Sequence, residues 1–377
     1  MDKILIKNGM VYDPFLHMME KRELAVAGSR IVSTEGFTPD IVIDAEGCLV
    51  TPGLIDFHLH CYESGSDGAD AADLYCLPNG VTTCIDGGTA GSASYDGFYQ
   101  DVVVRSTTRV MGLLHVAPEG LTTGRHGENQ TPADWDIEKM EQLCQKYKDT
   151  VAGIKVRQSA NLLDMYGLHD EPLVEAVKLA ERLGKKVVVH VNDPNVTCGK
   201  IASELRPGDV FCHMYAGNNE SILDVNGKIQ TEVAEARQRG VIFDACNGRG
   251  NYLFSVCEKC LEQGFKPDII SSDMSPFGFY KQPLLTLPRL LSKYLALGLT
   301  LEEVLDCATI NPARWIGRES LASLAEGTES DIAIFKLKEK TVRHFDKTGT
   351  YRDGHQVLVA QLTIRDGRIV YCQSDFL

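Results

Sequence analysis

Leu54-Ile55-Asp56-Phe57-His58-Leu59-His60 is an apolar run that ends on two histidines, and the fold prediction starts from it. Side chains alternate across a strand, so His58 and His60 share one face. Two neutral imidazoles that converge in this way can bind a divalent metal, although a lone pair of this kind is more often structural. The metal interpretation therefore needs support from residues further along the chain.

That support comes from polar residues that each stand at the carboxyl end of an apolar, strand-like run, namely Lys155, His190, His213 and Asp273. In the middle of the chain such runs alternate with longer helical stretches, and they end near His60, Gly87, Ala117, Arg157, Val191, Tyr215, Cys246 and Met274. This alternation predicts an α/β protein with a closed (β/α)8 TIM-like barrel, in which active sites lie at the carboxyl ends of the strands.

A doubly wound open sheet is the alternative fold, but its usual Gly-rich phosphate loop after the first strand is absent. Residues 87–91, Gly-Gly-Thr-Ala-Gly, are interpreted instead as a flexible loop over the site. Both chain ends consist of short strands joined by turns, with Asp366-Gly367 as a hairpin turn. Neither end has enough strands for a sandwich of its own. We therefore expect residues 1–52 and 322–377 to form one small β-sandwich domain, and residues 53–321 to form the barrel.

The amino-acid composition argues against some classes of binding partner. Across 377 residues, 38 Lys and Arg stand against 52 Asp and Glu, and the net charge of −14 argues against nucleic acid or an anionic membrane. No charged leader with an apolar stretch opens the chain, so we expect a cytoplasmic enzyme with a small-molecule substrate. The 12 cysteines suit reduced, buried thiols, and Cys61 and Cys212, beside candidate ligands, are predicted to pack in the barrel wall.

Lys155 is the anomaly of the set, because an ammonium group repels a metal. By itself it would be interpreted as a salt-bridged lysine at a strand end. A lysine desolvated near cations loses its proton readily, however, and the free amine can add carbon dioxide to become a carbamate that bridges two metals. Two divalent ions are then offset by about −3 from the carbamate, Asp273 and a bridging hydroxide. With four histidines and an aspartate in register, we predict the carbamate.

These pieces resemble the amidohydrolase superfamily of metal-dependent hydrolases over nearly the whole chain. The matching pieces are residues 51–60, 153–155, His190, His213, 272–273, the helical exit at 301–314 and the return at 326–333. Within the superfamily, Gly153-Ile154-Lys155-Val156-Arg157 resembles a branch of deacetylase-like enzymes that are often labelled dihydroorotase-like. The implied ligands are His58, His60 and Asp273 for one metal and His190 and His213 for the other, with carboxylated Lys155 as the bridge.

The resemblance also implies a reaction. A hydroxide between the metals would attack an amide or ester carbonyl, and Asp273 would shuttle the proton to the leaving group. We expect deacetylation of a small N- or O-acylated acid. The ligands suit zinc, manganese, iron or cobalt, of which we expect two zinc ions.

Substrate contacts are predicted at four positions. Dihydroorotases carry a carboxylate-gripping arginine two residues after the second histidine, where this chain has Tyr62. Arg157 shares the inward face of Lys155 and could clamp a substrate carboxylate, although a rim arginine paired to a neighbouring acid is an equal alternative. Arg249 and Asn251 follow the seventh strand, where a plain turn is the alternative to substrate contact.

Other functions stay open. A cyclic-amide hydrolase of the dihydroorotase or hydantoinase type is the main alternative, and Tyr62 argues against it. A mononuclear deaminase would not need Lys155. A non-catalytic scaffold barrel would have lost metal ligands, whereas all six positions are filled here. The resemblance also allows a homo-oligomer.

Overall fold

The computed structural model describes residues 2–376. Seven short strands come first: β1 (Lys3–Lys7), β2 (Met10–Asp13), β3 (Met18–Lys21), β4 (Leu24–Ala27), β5 (Arg30–Val32), β6 (Ile41–Asp44) and β7 (Leu49–Pro52). Four of them form a sheet in the order β5-β4-β1-β6, in which β1 is antiparallel to β4 and parallel to β6. The other three join a second sheet with strands from the far end of the chain.

A second group of strands forms the centre of the molecule: β8 (Leu54–Leu59), β9 (Val81–Asp86), β10 (Arg109–His115), β11 (Val151–Gln158), β12 (Val187–Val191), β13 (Val210–Cys212) and β14 (Ile242–Asp244). They are parallel neighbours in chain order. Parallel strands are covered on both faces, and this is why they appear as continuous runs of Val, Ile and Leu in the sequence. The prediction of an α/β fold with a parallel central sheet is confirmed.

The two edges of this sheet approach the same segment, residues 269–274. Isolated parallel bridges join Asp244 to Ile269 and Leu59 to Met274. The amide of Asp273 also donates to the His58 carbonyl at 2.8 Å. The sheet is thus curled, but it contains seven strands and not the eight predicted. Asp273 adopts a φ of 52°, which interrupts the extended conformation that a continuous eighth strand would need.

Helices follow most of the central strands: α1 (Ala72–Cys76), α2 (Tyr95–Phe98), α3 (Ile137–Lys146), α4 (Ala160–Leu163), α5 (Glu171–Arg182), α6 (Cys198–Glu204), α7 (Thr231–Arg239), α8 (Phe254–Glu262), α9 (Pro276–Phe279), α10 (Leu287–Ala296), α11 (Leu301–Asp306) and α12 (Ile310–Trp315). In α5, Leu173, Ala176 and Ala180 lie on one buried stripe. A capping box between Thr300 and Glu303 begins α11. The largest apolar core contains residues of both these helices and the central strands.

The chain ends with β15 (Ile332–Phe345), β16 (Tyr351–Arg365) and β17 (Arg368–Cys372). The second sheet has the order β17-β16-β15-β7-β2-β3 and so combines both ends of the chain. A separate apolar core contains Ile6 and Ile43 from the first sheet and Val50 and Ile334 from the second. The predicted domain boundaries, 1–52 with 322–377 and 53–321, stay a prediction.

The full length of the β15–β16 hairpin and its packing on helices were not predicted. The β15–β16 hairpin is longer than expected, because its outer half is polar and lacks an alternating pattern. That half packs on helices instead, where the Leu358 amide donates to Ser292 Oγ at 2.9 Å and Arg352 pairs with Glu258. By contrast, the hairpin turn at Asp366 and Gly367 is present, with φ of 53° and 72°, as a primed turn requires.

Within residues 2–376, no helix is both long enough and apolar enough to cross a membrane. The cytoplasmic location stays a prediction.

Candidate metal centre

The residues predicted as metal ligands lie together at the carboxyl ends of the central strands. His60 Nε2 is 3.5 Å from Asp273 Oδ1, and His58 Nε2 is 3.9 Å from the same oxygen. Lys155 Nζ is 3.3 Å from His58 Nε2. His213 Nε2 is 2.9 Å from His190 Nδ1. The six side chains come from five segments of the chain, because His58 and His60 share one, and the curled sheet brings these segments together.

The donor set fits a bound cation. Lys155 is only 1% exposed, and the hydrogen-bond partner of its Nζ is a histidine nitrogen and not a carboxylate. A buried ammonium group without a counter-charge is costly. The buried Nε2 atom of His190 has no hydrogen-bond partner among the described residues. Both observations fit a centre in which these nitrogens face a bound cation.

Three residues around the centre hold an uncommon backbone conformation. His213, Cys246 and Asp273 have φ values of 67°, 32° and 52°, which are rare outside glycine. Such conformations cost about 1–3 kcal/mol each and cluster at functional sites. At His213 the conformation accompanies a 2.7 Å contact of Nδ1 with the Cys246 carbonyl, which leaves Nε2 to face the centre.

Two residues that orient His60 were missed from the sequence. His60 Nδ1 is 2.9 Å from Thr89 Oγ1, and this hydroxyl donates to Asp86 Oδ2 at 2.8 Å. Asp86 also accepts the amides of Gly88 and Thr89. Such contacts fix the tautomer and ring orientation of a ligating histidine. The available signal was Asp86 itself, a carboxylate at the end of an apolar strand.

The turn at residues 87–91 differs from its interpretation as a flexible loop. It is buried, and its first two glycines touch the candidate ligands. A Cβ on Gly87 would lie 2.3 Å from His58 Nε2, and one on Gly88 would lie 2.6 Å from Lys155 Cγ. Gly87 and Gly88 must therefore be glycine, because a Cβ at either position would collide with His58 or Lys155.

Gly88→Ala is expected to displace Lys155 and to lower the affinity for divalent metal by about 10–100-fold. Its φ of 94° adds backbone strain of about 1–2 kcal/mol. Gly47→Ala is the matched control, because Gly47 has a φ of 70° but nothing within 4 Å of its added Cβ. Calorimetric metal titration and thermal melting of both variants measure the two effects. Equal metal affinity in the two variants would contradict the expected contact.

Burial and neighbouring charges set the protonation of the centre without metal. Burial lowers the pKa of His58 to about 4 and holds the pKa of His190 well below its usual value, so both rings are neutral at pH 7. Partial burial alone would raise the pKa of Asp273, but the hydrogen bond with His60 and the nearby His213 and His58 bring it to about 2. Neutral imidazoles and a carboxylate are the forms that bind metal.

A cavity of about 490 Å³ opens over the centre, and its walls include Lys155, His190 and Asp273. Arg157 also lines it, but its Nη1 donates to both oxygens of buried Glu128, at 2.9 and 3.0 Å. The guanidinium therefore already has a carboxylate partner, which matches the alternative of a paired rim arginine. Burial alone would raise the pKa of Glu128, but the charge of Arg157 and the contact with His115 together bring it to about 2.

The other three residues that were predicted to contact substrate lie in three different environments. Asn251 Nδ2 donates to Asp273 Oδ2 at 3.0 Å and so lies at the centre. Arg249 lies beside a smaller cavity next to Asp273, where it holds the carbonyls of Gly278 and Pro283 at 3.0 and 2.8 Å. The Tyr62 ring is 7% exposed and packs against Phe98. Tyr62 thus packs in the core instead of lining the main cavity.

A buried lysine supports the loop that carries Asn251. Lys293 of α10 is 3% exposed, donates to Asn247 Oδ1 and lies 3.4 Å above the centroid of the Tyr252 ring. Next to Asn247, a Cβ on Gly248 would be 2.3 Å from Asp273 Oδ2. Burial lowers the pKa of Lys293 to about 7.

Lys293→Met is expected to change how the free energy of unfolding depends on pH. Between about pH 7 and 10.5 the unfolded chain holds a proton on Lys293 that the folded chain releases. In that window this group makes the wild type more stable as pH rises, by at most about 1.4 kcal/mol per pH unit, and methionine removes the effect. Urea denaturation at several pH values in this window measures the difference. Lys178→Met, at an exposed lysine, is the control, and parallel curves for wild type and Lys293→Met would contradict the expectation.

Known proteins resemble this chain over most of its length. Residues 255–370 match the Amidohydrolase family. A deacetylase from Enterococcus faecalis is 27% identical over 370 residues, which are 97% of this chain and 98% of that protein. The crystal structure of an adenine deaminase has a TM-score of 0.90 at 27% identity, over 98% of this chain and 99% of its own.

A crystal structure of a dihydroorotase has a TM-score of 0.88 at 23% identity and covers 98% of both chains, which is a likeness of fold. The three relatives carry three different activity names, so the comparisons fix the type of catalyst and not the substrate. They identify this chain as a hydrolase, and residues 255–370 are similar to the Amidohydrolase family.

Proposed function

We propose that this protein is a binuclear metal-dependent hydrolase that removes the acetyl group from a small N- or O-acylated acid. The observation that carries the proposal is the convergence of four histidines and Asp273 around Lys155, a buried lysine that has no carboxylate partner within residues 2–376. The full-length likeness to a deacetylase supports the choice of acyl group.

In this proposal His58, His60 and Asp273 hold one divalent ion, His190 and His213 hold the other, and Lys155 bridges them as a carbamate. Bound zinc ions would supply the nucleophile, because coordination lowers the pKa of water from 15.7 to about 7. Lys155 is suited to the bridging role, because its side chain enters the centre from β11, next to the strand that carries His190.

Asp273 is the proposed proton carrier. Its Oδ1 faces His58 and His60, while its Oδ2 accepts a hydrogen bond from Asn251 at 3.0 Å. This arrangement fixes the carboxylate at the mouth of the cavity, where it can accept a proton and pass it to the leaving oxygen or nitrogen. Asn251 and the Lys293-supported loop position this carboxylate.

We further propose that residues 269–274 act as the eighth strand of a (β/α)8 barrel. Their backbone hydrogen bonds to β8 on one side and β14 on the other support this assignment. The β domain, which consists of residues 1–52 and 322–377, then packs as a separate unit on a barrel that spans residues 53–321.

A cyclic amidohydrolase is the second candidate, favoured by the fold likeness to a dihydroorotase. The position of Tyr62 argues against it. At that position dihydroorotases are expected to have an arginine that binds a substrate carboxylate. In this protein the position holds Tyr62, whose ring is buried against Phe98.

A hydrolysis screen tests the proposed function. Metal-loaded protein is offered N-acetyl amino acids, O-acetyl hydroxy acids and cyclic ureides, and product release is followed by chromatography. We expect acetate from the first two classes, loss of activity on chelation and recovery on adding zinc. Ring opening alone would favour the cyclic amidohydrolase. A metal-free, inactive protein would favour a scaffold.

A further inference from the structure

Four buried side chains converge around His58 inside the curled sheet. They are His58 itself, Cys212 of β13, Asp244 of β14 and Cys246. One nitrogen, sulfur or oxygen atom of each lies within 4.8 Å of those of the others. All four residues are at most 3% exposed. None of the three besides His58 belongs to the proposed catalytic centre.

The separations suit a tetrahedral ion. Cys212 Sγ is 3.4 Å from His58 Nδ1 and 3.9 Å from Asp244 Oδ2. A tetrahedral zinc ion with ordinary bond lengths holds a sulfur and a nitrogen or oxygen ligand about 3.6 Å apart. These two distances bracket this value, and the other ligand atoms of the group also lie within 4.8 Å of one another.

The carboxylate in this group lacks a positive partner. Asp244 is 0% exposed, and its hydrogen bonds come from the Ser271 hydroxyl, the Cys246 amide and the Cys212 thiol. No lysine or arginine among the described residues forms an ion pair with it. A buried carboxylate with neutral donors alone is costly, and a cation between it and the two thiols would offset that cost. Simple packing of the cysteines in the barrel wall leaves this carboxylate unexplained.

We propose that His58 Nδ1, Cys212 Sγ, Cys246 Sγ and the Asp244 carboxylate form a second, separate site for a thiophilic divalent cation such as zinc or cadmium. Thiolates are the ligand form of cysteine, so binding transfers the two thiol protons to water, while the proton of the neutral His58 ring moves from Nδ1 to Nε2. This cation lies beneath the catalytic centre and shares only His58 with it.

The shared histidine has a consequence that rests on the proposed function. His58 Nε2 points to Asp273 and Lys155, while Nδ1 points to Cys212. A neutral imidazole has one nitrogen with a free lone pair, so it serves one cation at a time. Occupation of the thiol site therefore competes with the catalytic centre, and an excess of zinc or cadmium inhibits hydrolysis.

Cadmium titration of the full chain tests the site without any substrate. Thiolate coordination gives an ultraviolet charge-transfer band, and the bound cadmium is counted by mass spectrometry after gel filtration. We expect the band in the wild type and its loss in both Cys212→Ala and Cys246→Ala. His190→Asn, which removes a ligand of the catalytic centre alone, is expected to keep the band.

Cys84→Ala is the matched control, because Cys84 bonds with Cys61 and Cys76 in a different cluster of buried thiols. It is expected to keep the band. Circular dichroism confirms folding, and Cys212→Ser and Cys246→Ser replace any alanine variant that does not fold. The absence of the band in saturated wild type, or its persistence in both cysteine variants, would overturn the proposal. Inactivity of the wild type in the hydrolysis screen would overturn the proposed function and leave the cadmium result unaffected.

Discussion

Lys155→Ala is expected to lower kcat/KM for the preferred acylated substrate by about 1000-fold, or about 4 kcal/mol of transition-state stabilisation. Lys155 lies in the middle of the candidate centre, 1% exposed and 3.3 Å from His58 Nε2. Its removal deletes the proposed bridge between the two groups of histidines. Steady-state kinetics of wild type and variant, both purified in excess metal, measure the loss.

Lys155→Arg separates a carbamate from a simple positive charge. Arginine keeps the charge but does not take up carbon dioxide, so we expect it to be as inactive as Lys155→Ala. Lys186→Ala is the control, because Lys186 is half-buried at the opposite end of the sheet and donates to the Trp315 carbonyl at 2.8 Å. Substantial activity in Lys155→Arg would show that the charge suffices, and it would refute the carbamate.

Asp273→Asn is expected to lower kcat by about 1000-fold, with a smaller effect on KM. An amide keeps the shape of the side chain and one oxygen, but it cannot accept the proton that the proposed reaction transfers. The comparison with Asn251→Ala is informative, because Asn251 orients Asp273 through a 3.0 Å hydrogen bond. For that variant we expect a loss of about 10–100-fold, as is usual for a residue that supports a metal ligand.

The control for this series is Asp224→Asn, which makes the same change on an exposed turn. Initial rates over a range of substrate concentrations give kcat and KM for each protein. If Asp273→Asn kept a wild-type kcat, Asp273 would not carry the proton. If Asn251→Ala lost as much as Asp273→Asn, Asn251 would have a direct role in the reaction.

Local patterns were enough to predict the central parallel strands and helices. Helix α7 (Thr231–Arg239), for example, lies between the predicted strands that end near Tyr215 and Cys246, and Gly240 marks its end. The strand ends that carry Lys155 and His190 were also predicted correctly, since buried parallel strands are continuous apolar runs. These signals lie within a few residues of the features that they predict.

Contacts between distant segments could not be predicted in the same way. Glu128, which pairs with Arg157, lies 29 residues away along the chain, and Asn247, which accepts from Lys293, lies 46 residues away. The left-handed φ of His213 and Asp273 depends on how neighbouring segments hold the backbone. A substrate-binding role was inferred for Arg157 from strand register, and for Tyr62 from its position relative to the arginine of dihydroorotases. Neither kind of evidence shows which neighbour fills the space around a side chain.

The central claim is that two divalent ions, bridged by a modified Lys155, occupy this centre. Anomalous diffraction from crystals of the zinc-loaded protein, at the zinc absorption edge, tests it most directly. We expect two peaks, one among His58, His60 and Asp273 and the other beside His190 and His213, with carbamate density on Lys155 Nζ between them. An unmodified Lys155, or no metal peak among these residues, would contradict it.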